Sequence, residues 1–251
     1  MEAYSEFAKV YDLFMDDIPY GTWAGWLRDL LEDHGVKGGL VLDLGCGTGK
    51  MTRLLADFGY DMIGVDRSED MLAEARETDT GKGILYLCQD MRDFELYGTV
   101  AAIVSVCDCM NYILEEADML QVFRHANNYL DPGGLFIFDM NTPYKYEHAL
   151  GEQTIGEARE DHCFIWDNYY DKDTRINEYV LDLFIQGKDG RYDRYEECHY
   201  QRSWDMKTIR RLAEEAGLRW KGCVEAYTGK DPADDCERVC VILQEYQKER
   251  K

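Results

Sequence analysis

"VLDLGCGTGKMTRLLADFGYDMIGVD", residues 41–66, sets an apolar run, three glycines at alternate positions and a helically spaced apolar series one after another. Val41, Leu42 and Leu44 suit a strand buried on both faces, and Met51, Leu54, Leu55 and Phe58 recur at helical spacing after the turn. A second apolar run over residues 62–65 ends at Asp66. The reading is strand, glycine turn, helix, strand, with a carboxylate at the tip of the second strand. That arrangement is suited to a nucleoside.

Spacing separates the loops that could make this pattern. A phosphate-cradling P-loop needs a glycine and a Ser or Thr where Leu44 and Met51 stand, so that reading fails. A dinucleotide fingerprint needs a third glycine where Lys50 stands, which weakens a nucleotide-dependent oxidoreductase. Gly45 and Gly47 let the backbone approach a ligand where a Cβ would collide, and Asp66 can accept both hydroxyls of a ribose. No pyrophosphate is required. With Asp43, Gly45, Gly47 and Gly49 in D-x-G-x-G-x-G order, the stretch resembles motif I of the class I S-adenosylmethionine (SAM) methyltransferases.

The 251 residues, 45% hydrophobic, allow one large domain, or a domain with an insertion. A formal charge of −22 argues against a broad electrostatic grip on nucleic acid and favours a small-molecule substrate. Residues 1–17 lack the basic start and apolar core of a secretory signal, and no run approaches membrane length. Nine cysteines without CxxC pairs point to reduced thiols and a cytoplasmic location.

Along the chain, Tyr4 to Met15 and then Trp23 to Leu31 carry helical apolar stripes, separated by a break at Ile18-Pro-Tyr-Gly21. Ser68 can cap the next helix, "GILYLCQDM" supplies a third strand, and the whole of "VAAIVSVCDCMNYI" reads as the fourth. A helical stripe from Met119 to Leu130 ends at "DPGG" and leads into "LFIFDMN". Five alternations of strand and helix predict a parallel sheet covered on both faces. Between about 148 and 204 the pattern changes to three aromatic, β-branched runs with short turns, an antiparallel three-stranded insertion. A helix capped by Asp205 and two closing strands complete the chain.

The whole core is similar to class I methyltransferases, and the opening "YSEFAKVYDLFMDDIPYGTW" with the β insertion is similar to a bacterial group of small methyltransferases whose substrates are mostly unassigned. The resemblance implies an α/β fold, a doubly wound, mainly parallel seven-stranded sheet with an antiparallel last strand. Residues 1–147 and 204–251 form the SAM-binding domain, with 1–35 as a helical cover and 148–203 as a lid on the substrate side. It implies cofactor contacts from Asp43, Gly45, Cys46 and Gly47, with Asp43 near the ammonium. Asp66 takes the ribose, Arg67 and Met71 flank the adenine, and Gln89, Asp90 and Met91 meet its edge. Cys107 lies near the ammonium through its carbonyl, and Tyr20 and Trp23 are the candidates for an aromatic cover.

Asn111 and Tyr112, at the end of the fourth strand, and Arg202 of the insertion are the expected acceptor contacts. Methyl transfer is an in-line displacement that can rest on positioning and desolvation, so no catalytic base is assigned. His148, His162 and His199 are read as structural. Asp108, Asp139 and Asn141 could hold a cation, but Met140 breaks the adjacent Asp-Asn pair that metal-dependent relatives use, so no metal is expected. A regulatory SAM-binding module without turnover and an RNA methyltransferase are the alternatives. The insertion could also support a homodimer.

Overall fold

The structure, a computed structural model, describes residues 7–248; Tyr4 of the predicted first helix lies outside them. Helices α1 (Ala8–Phe14) and α2 (Tyr20–Asp33) precede the alternating core. That core runs β1 (Leu40–Leu44), α3 (Lys50–Asp57), β2 (Asp61–Asp66), α4 (Glu69–Thr78), β3 (Leu85–Cys88), β4 (Val100–Ser105), α5 (Glu116–Tyr129) and β5 (Leu130–Asn141). Four strands follow, β6 (Thr154–Ala158), β7 (His162–Asp171), β8 (Ile176–Gln186) and β9 (Tyr192–Arg202). The chain closes with α6 (Met206–Glu215), β10 (Leu218–Glu225) and β11 (Arg238–Glu245).

The main sheet has the order β10-β11-β5-β4-β1-β2-β3. β1 to β5 are mutually parallel where they pair, and β11 runs antiparallel to both β5 and β10. Alternation along β1 sorts its side chains: Leu42 and Leu44 pack in the core layer with Phe123 and Leu212, and Val41 in the opposite layer with Leu27, Leu31 and Leu55. Local signals set the helix ends. The Ser68 hydroxyl accepts from Met71 N at 3.2 Å, Asp205 accepts from Thr208 N at 2.9 Å, and Gly217 follows α6 at φ +86°.

Three expectations change. Tyr20 and Gly21 belong to the first turn of α2, since Pro19 fits the start of a helix. The fourth strand stops at Ser105 because Cys107 and Asp108 turn the chain in the left-handed region, at φ 59° and 52°, into a 3-10 turn at Cys109–Tyr112. The insertion has four strands in the order β6-β7-β8-β9, because the short segment Thr154–Ala158 pairs along β7 as an edge strand.

The insertion sheet turns one face inward, burying Asn177, Tyr179, Leu181 and Leu183 of β8 with Glu197, His199 and Gln201 of β9. Helix α1 packs against that sheet: Val10 and Phe14 join Tyr179, Leu181 and Leu183, and the Phe14 ring meets Phe164 edge-on at 4.9 Å. The Thr48 hydroxyl donates to Asp12 at 2.8 Å, so α1 also grips the glycine loop. The ends of β1, β2 and β4 therefore open into a space walled by α1 and the insertion.

Candidate functional site

The glycine loop takes its shape from what surrounds it. At Gly45, φ is +81° and a Cβ would come within 2.7 Å of Cys109 Sγ, so only glycine fits. At Gly47 a Cβ would meet nothing within 4 Å, which leaves backbone exposed to open space. The Asp66 carboxylate accepts from Gly47 N at 2.8 Å and Ser68 N at 2.9 Å, tying the loop to the end of β2. Burial raises the Asp66 carboxyl above its ordinary range, against the pull of those hydrogen bonds.

Asp43 is fully buried at the end of β1 and accepts from the Thr52 hydroxyl at 2.6 Å. Its Oδ1 has no hydrogen-bond partner among the described residues. Burial pushes this carboxyl up to about 7 despite the Thr52 bond. An acceptor of this kind is poised for a cation or donor from outside the chain.

A cavity of about 330 Å³ runs from this loop. Asp43, Gly45, Cys46 and Gly47 line one side, and Asp66, Arg67 and Met71 another. Gln89, Asp90 and Met91 line it after β3, Cys107 and Tyr112 after β4, and Tyr20 from α2. All were expected at one site. Arg92 grips Asp90 through Nε at 2.9 Å and Nη2 at 2.7 Å, holding its carboxyl below the usual range. Lys50 Nζ sits 4.8 Å from the Tyr20 ring centroid.

The turn after β4 is held from behind. Asp139 accepts from Cys107 N at 3.1 Å and Asp108 N at 2.6 Å. Arg238 bridges Asp108 at 2.6 Å and Asp139 at 3.1 Å, Gln201 donates to Asp108 at 2.6 Å, and the Tyr227 hydroxyl donates to Asp139. The carboxylates of Asp108 and Asp139 are thus engaged by protein donors, whereas Asn141 Oδ1 has no hydrogen-bond partner among the described residues. Burial and nearby Asp139 push the Cys107 thiol up to about 12, and burial raises Cys46 and Cys109 as well. These groups stay neutral thiols rather than nucleophilic thiolates.

Three candidates lie off the cavity wall. Trp23 stacks on Tyr227, centroids 4.0 Å apart and planes within 4°. Asn111 is fully buried: its Nδ2 donates to Asn141 O at 3.2 Å and Arg202 O at 2.9 Å, and its Oδ1 accepts from Asn141 N at 2.9 Å. The Arg202 guanidinium lies 4.5 Å from the Trp204 ring centroid and donates to Leu114 O at 2.5 Å. Asn111 is fully engaged and Trp23 is stacked in the packing around the site, while the buried Arg202 Nε has no hydrogen-bond partner among the described residues. In their place the cavity gains Tyr11, Lys50 and, at the insertion end, His199 between Cys198 and Tyr200. The alternate spacing of Glu197, His199 and Gln201 on a strand was the signal for a shared inward face.

Comparison with known proteins accords with this geometry. Residues 41–134 match the family described as a methyltransferase domain. A protein of Geobacillus sp. (strain WCH70) named as a candidate methyltransferase is 30% identical over 244 residues, covering 96% of this chain and 99% of its own. The chain belongs to the class I SAM-dependent methyltransferases. The crystal structure of a SAM-dependent methyltransferase from Clostridium acetobutylicum ATCC 824 superposes with a TM-score of 0.86 at 26% identity, covering 98% of this chain and all of that one. A cypemycin N-terminal methyltransferase from Streptomyces sp. is 25% identical over 241 residues, 94% of each chain. Among the described residues no helix is long and apolar enough to cross a membrane.

Proposed function

We propose that the protein methylates a small polar acceptor, an amine or a hydroxyl compound, by in-line displacement inside the chamber between the glycine loop and the β insertion. One observation carries this reading: a single cavity joins Asp43, Gly47 and Asp66 at one end to Tyr112 and His199 at the other. A site that only sensed the cofactor would need no polar wall beyond it. The name of the cypemycin enzyme, which specifies an N-terminal acceptor, supports an amine.

The residues present fit SAM on two counts: the unpartnered buried Oδ1 of Asp43 suits a cation, and the open space at Gly47 suits a ligand lying against backbone. When bound, SAM supplies an electrophilic sulfonium methyl. In this reading Asp43 faces its ammonium, helped by the Cys107 carbonyl, and Asp66 accepts from the ribose diol. Arg67 and Met71 flank the adenine, and Gln89 and the Met91 backbone meet its edge. Asp90 accepts from the amine, since a carboxylate has room for about four hydrogen bonds and Arg92 takes only part of them. The neutral thiols of Cys46, Cys107 and Cys109 give a soft wall that does not compete for the methyl. Tyr20 supplies an electron-rich ring near the positive centre.

Helix α1 and residues 148–203 act as covers that exclude water and hold the acceptor in line. Tyr112 is kept as an acceptor contact, and Asn111, Arg202 and Trp23 are reassigned to support. All nine thiols are free, which supports a reducing cytoplasm. Isothermal titration with SAM, S-adenosylhomocysteine and NAD tests the cofactor half: micromolar binding of the first two with NAD silent is expected, and the reverse would sink it. Metabolite extracts incubated with SAM and screened for products heavier by one methyl test the acceptor half. Release of S-adenosylhomocysteine only with added RNA would overturn the small-molecule assignment.

A further inference from the structure

We propose that Tyr112, His199 and Glu197 form a proton relay that receives the proton shed by the methyl acceptor, which deepens and rests on the reading above. The insertion was expected to supply a wall. Its inner face instead buries a polar row, with His199 and Glu197 side chains fully out of solvent. Polar groups so placed are costly unless fully engaged, and they are engaged in a line leading to the cavity. Glu197 Oε2 lies 3.2 Å from His199 Nε2, His199 Nδ1 lies 3.2 Å from the Tyr112 hydroxyl, and both Tyr112 and His199 line the cavity.

The geometry of the imidazole is fixed from several sides. Tyr179 stands directly across from His199 in the β8–β9 ladder, and the two rings stack with centroids 4.6 Å apart and planes within 8°. The Tyr179 hydroxyl also lies 2.7 Å from that of Tyr112. Phe7 N donates to Glu197 Oε1 at 3.3 Å, so α1 steadies the far end of the line. As a carboxylate, Glu197 can only accept, which places the imidazole proton on Nε2 and leaves Nδ1 as the acceptor of the Tyr112 hydroxyl proton.

The step balances with these groups alone. As the acceptor's nitrogen or oxygen forms its bond to the methyl carbon and the sulfur–carbon bond breaks, the acceptor's own proton passes to Tyr112 oxygen. The Tyr112 proton moves to His199 Nδ1, and Glu197 stabilises the imidazolium through Nε2–H. The logic is that of a nucleophile-activating His-carboxylate pair with a phenol at the reacting end. It restricts substrates to nucleophiles that carry a proton, amines and hydroxyls, and disfavours thioethers and tertiary amines.

Sinefungin, which bears an amine on the carbon replacing the methylsulfonium, probes the methyl position without turnover. Its affinity relative to S-adenosylhomocysteine is measured by titration calorimetry in the wild-type protein and in Tyr112→Phe. We expect the sinefungin preference to fall about tenfold in Tyr112→Phe while S-adenosylhomocysteine affinity holds within about twofold. An unchanged preference overturns the relay. In parallel, nitrogen-15 NMR of His199 in the wild-type S-adenosylhomocysteine complex should show the Nε2–H tautomer; an Nδ1–H tautomer also overturns it, even if the variant does not fold. Wild-type protein that binds neither ligand overturns the cofactor reading itself, and the relay with it.

Discussion

Asp43→Asn should make the empty protein more stable and a worse binder of cofactor. The carboxyl is fully buried, with its proton held up to about 7 from an ordinary 3.8. Between those values the folded chain keeps a proton that the unfolded chain has released, so stability falls as pH rises through that window and is lowest above it. At about 1.4 kcal/mol per pKa unit the rise corresponds to roughly 4 kcal/mol. Asparagine has no charge to desolvate, and its Oδ1 can still accept from Thr52. Thermal unfolding of the ligand-free variant should therefore occur at higher temperature than wild type near pH 8, by an amount that vanishes near pH 4.

Binding should move the other way. If Asp43 ionises to meet the ammonium, wild-type affinity for S-adenosylhomocysteine should weaken about tenfold per pH unit below 7, to roughly a hundredfold near pH 5. In the variant the part of this dependence centred near 7 should be gone, leaving the share due to Asp66, and affinity near pH 8 should be about ten- to hundredfold poorer. Calorimetric titrations from about pH 5 to 8 with parallel unfolding scans measure both. A variant that is less stable at pH 8, or one that binds as well as wild type, would refute the idea of an uncompensated carboxylate facing the ligand.

Asp66→Ala removes the proposed ribose acceptor together with the anchor for Gly47 N and Ser68 N; S-adenosylhomocysteine affinity should drop about ten- to hundredfold by calorimetry, with a lowered unfolding temperature. Arg238→Met leaves Asp108 and Asp139 without the cation between them. Urea titration should show a loss of about 3–5 kcal/mol, the usual cost of stranding buried charge. Asn111→Ala should lose about 2–4 kcal/mol in the same assay because it unpairs groups of Asn141 and Arg202, yet leave cofactor affinity within about twofold. A selective rise in acceptor KM in a fully stable Asn111 variant would restore it as a substrate contact.

The strand, glycine turn and strand end that line one side of the cavity are legible in the sequence because their information is local. Glycine spacing, a strand end at Asp43 and another at Asp66 fix a unit only 26 residues long, residues 41–66. The other side of the cavity, proposed to meet the acceptor, depends on contacts that sequence spacing does not carry. The left-handed pair Cys107-Asp108 is dictated by Asp139, 32 residues from Cys107, so a run rich in strand formers ends early. His199 reads as an ordinary strand histidine until it meets Tyr112, 87 residues away. Trp23 looked like a cofactor cover because nothing near it in sequence announces Tyr227. Edge strand β6 escaped notice because five residues with a central glycine give little pattern.

The bonds from Asn111 to Asn141 and to Arg202 hold together the two points where the insertion leaves and rejoins the core. A segment so joined is nearly a closed loop, and doubling the length of such a loop adds only about 0.6 kcal/mol of closure entropy. Any replacement need only return its ends to one asparagine, with no change to the order of the seven strands. If the insertion meets the acceptor as proposed, the seven-stranded half can be inherited intact over evolutionary time while the insertion is exchanged as a cassette, and the same junction marks where a designer could graft a new specificity.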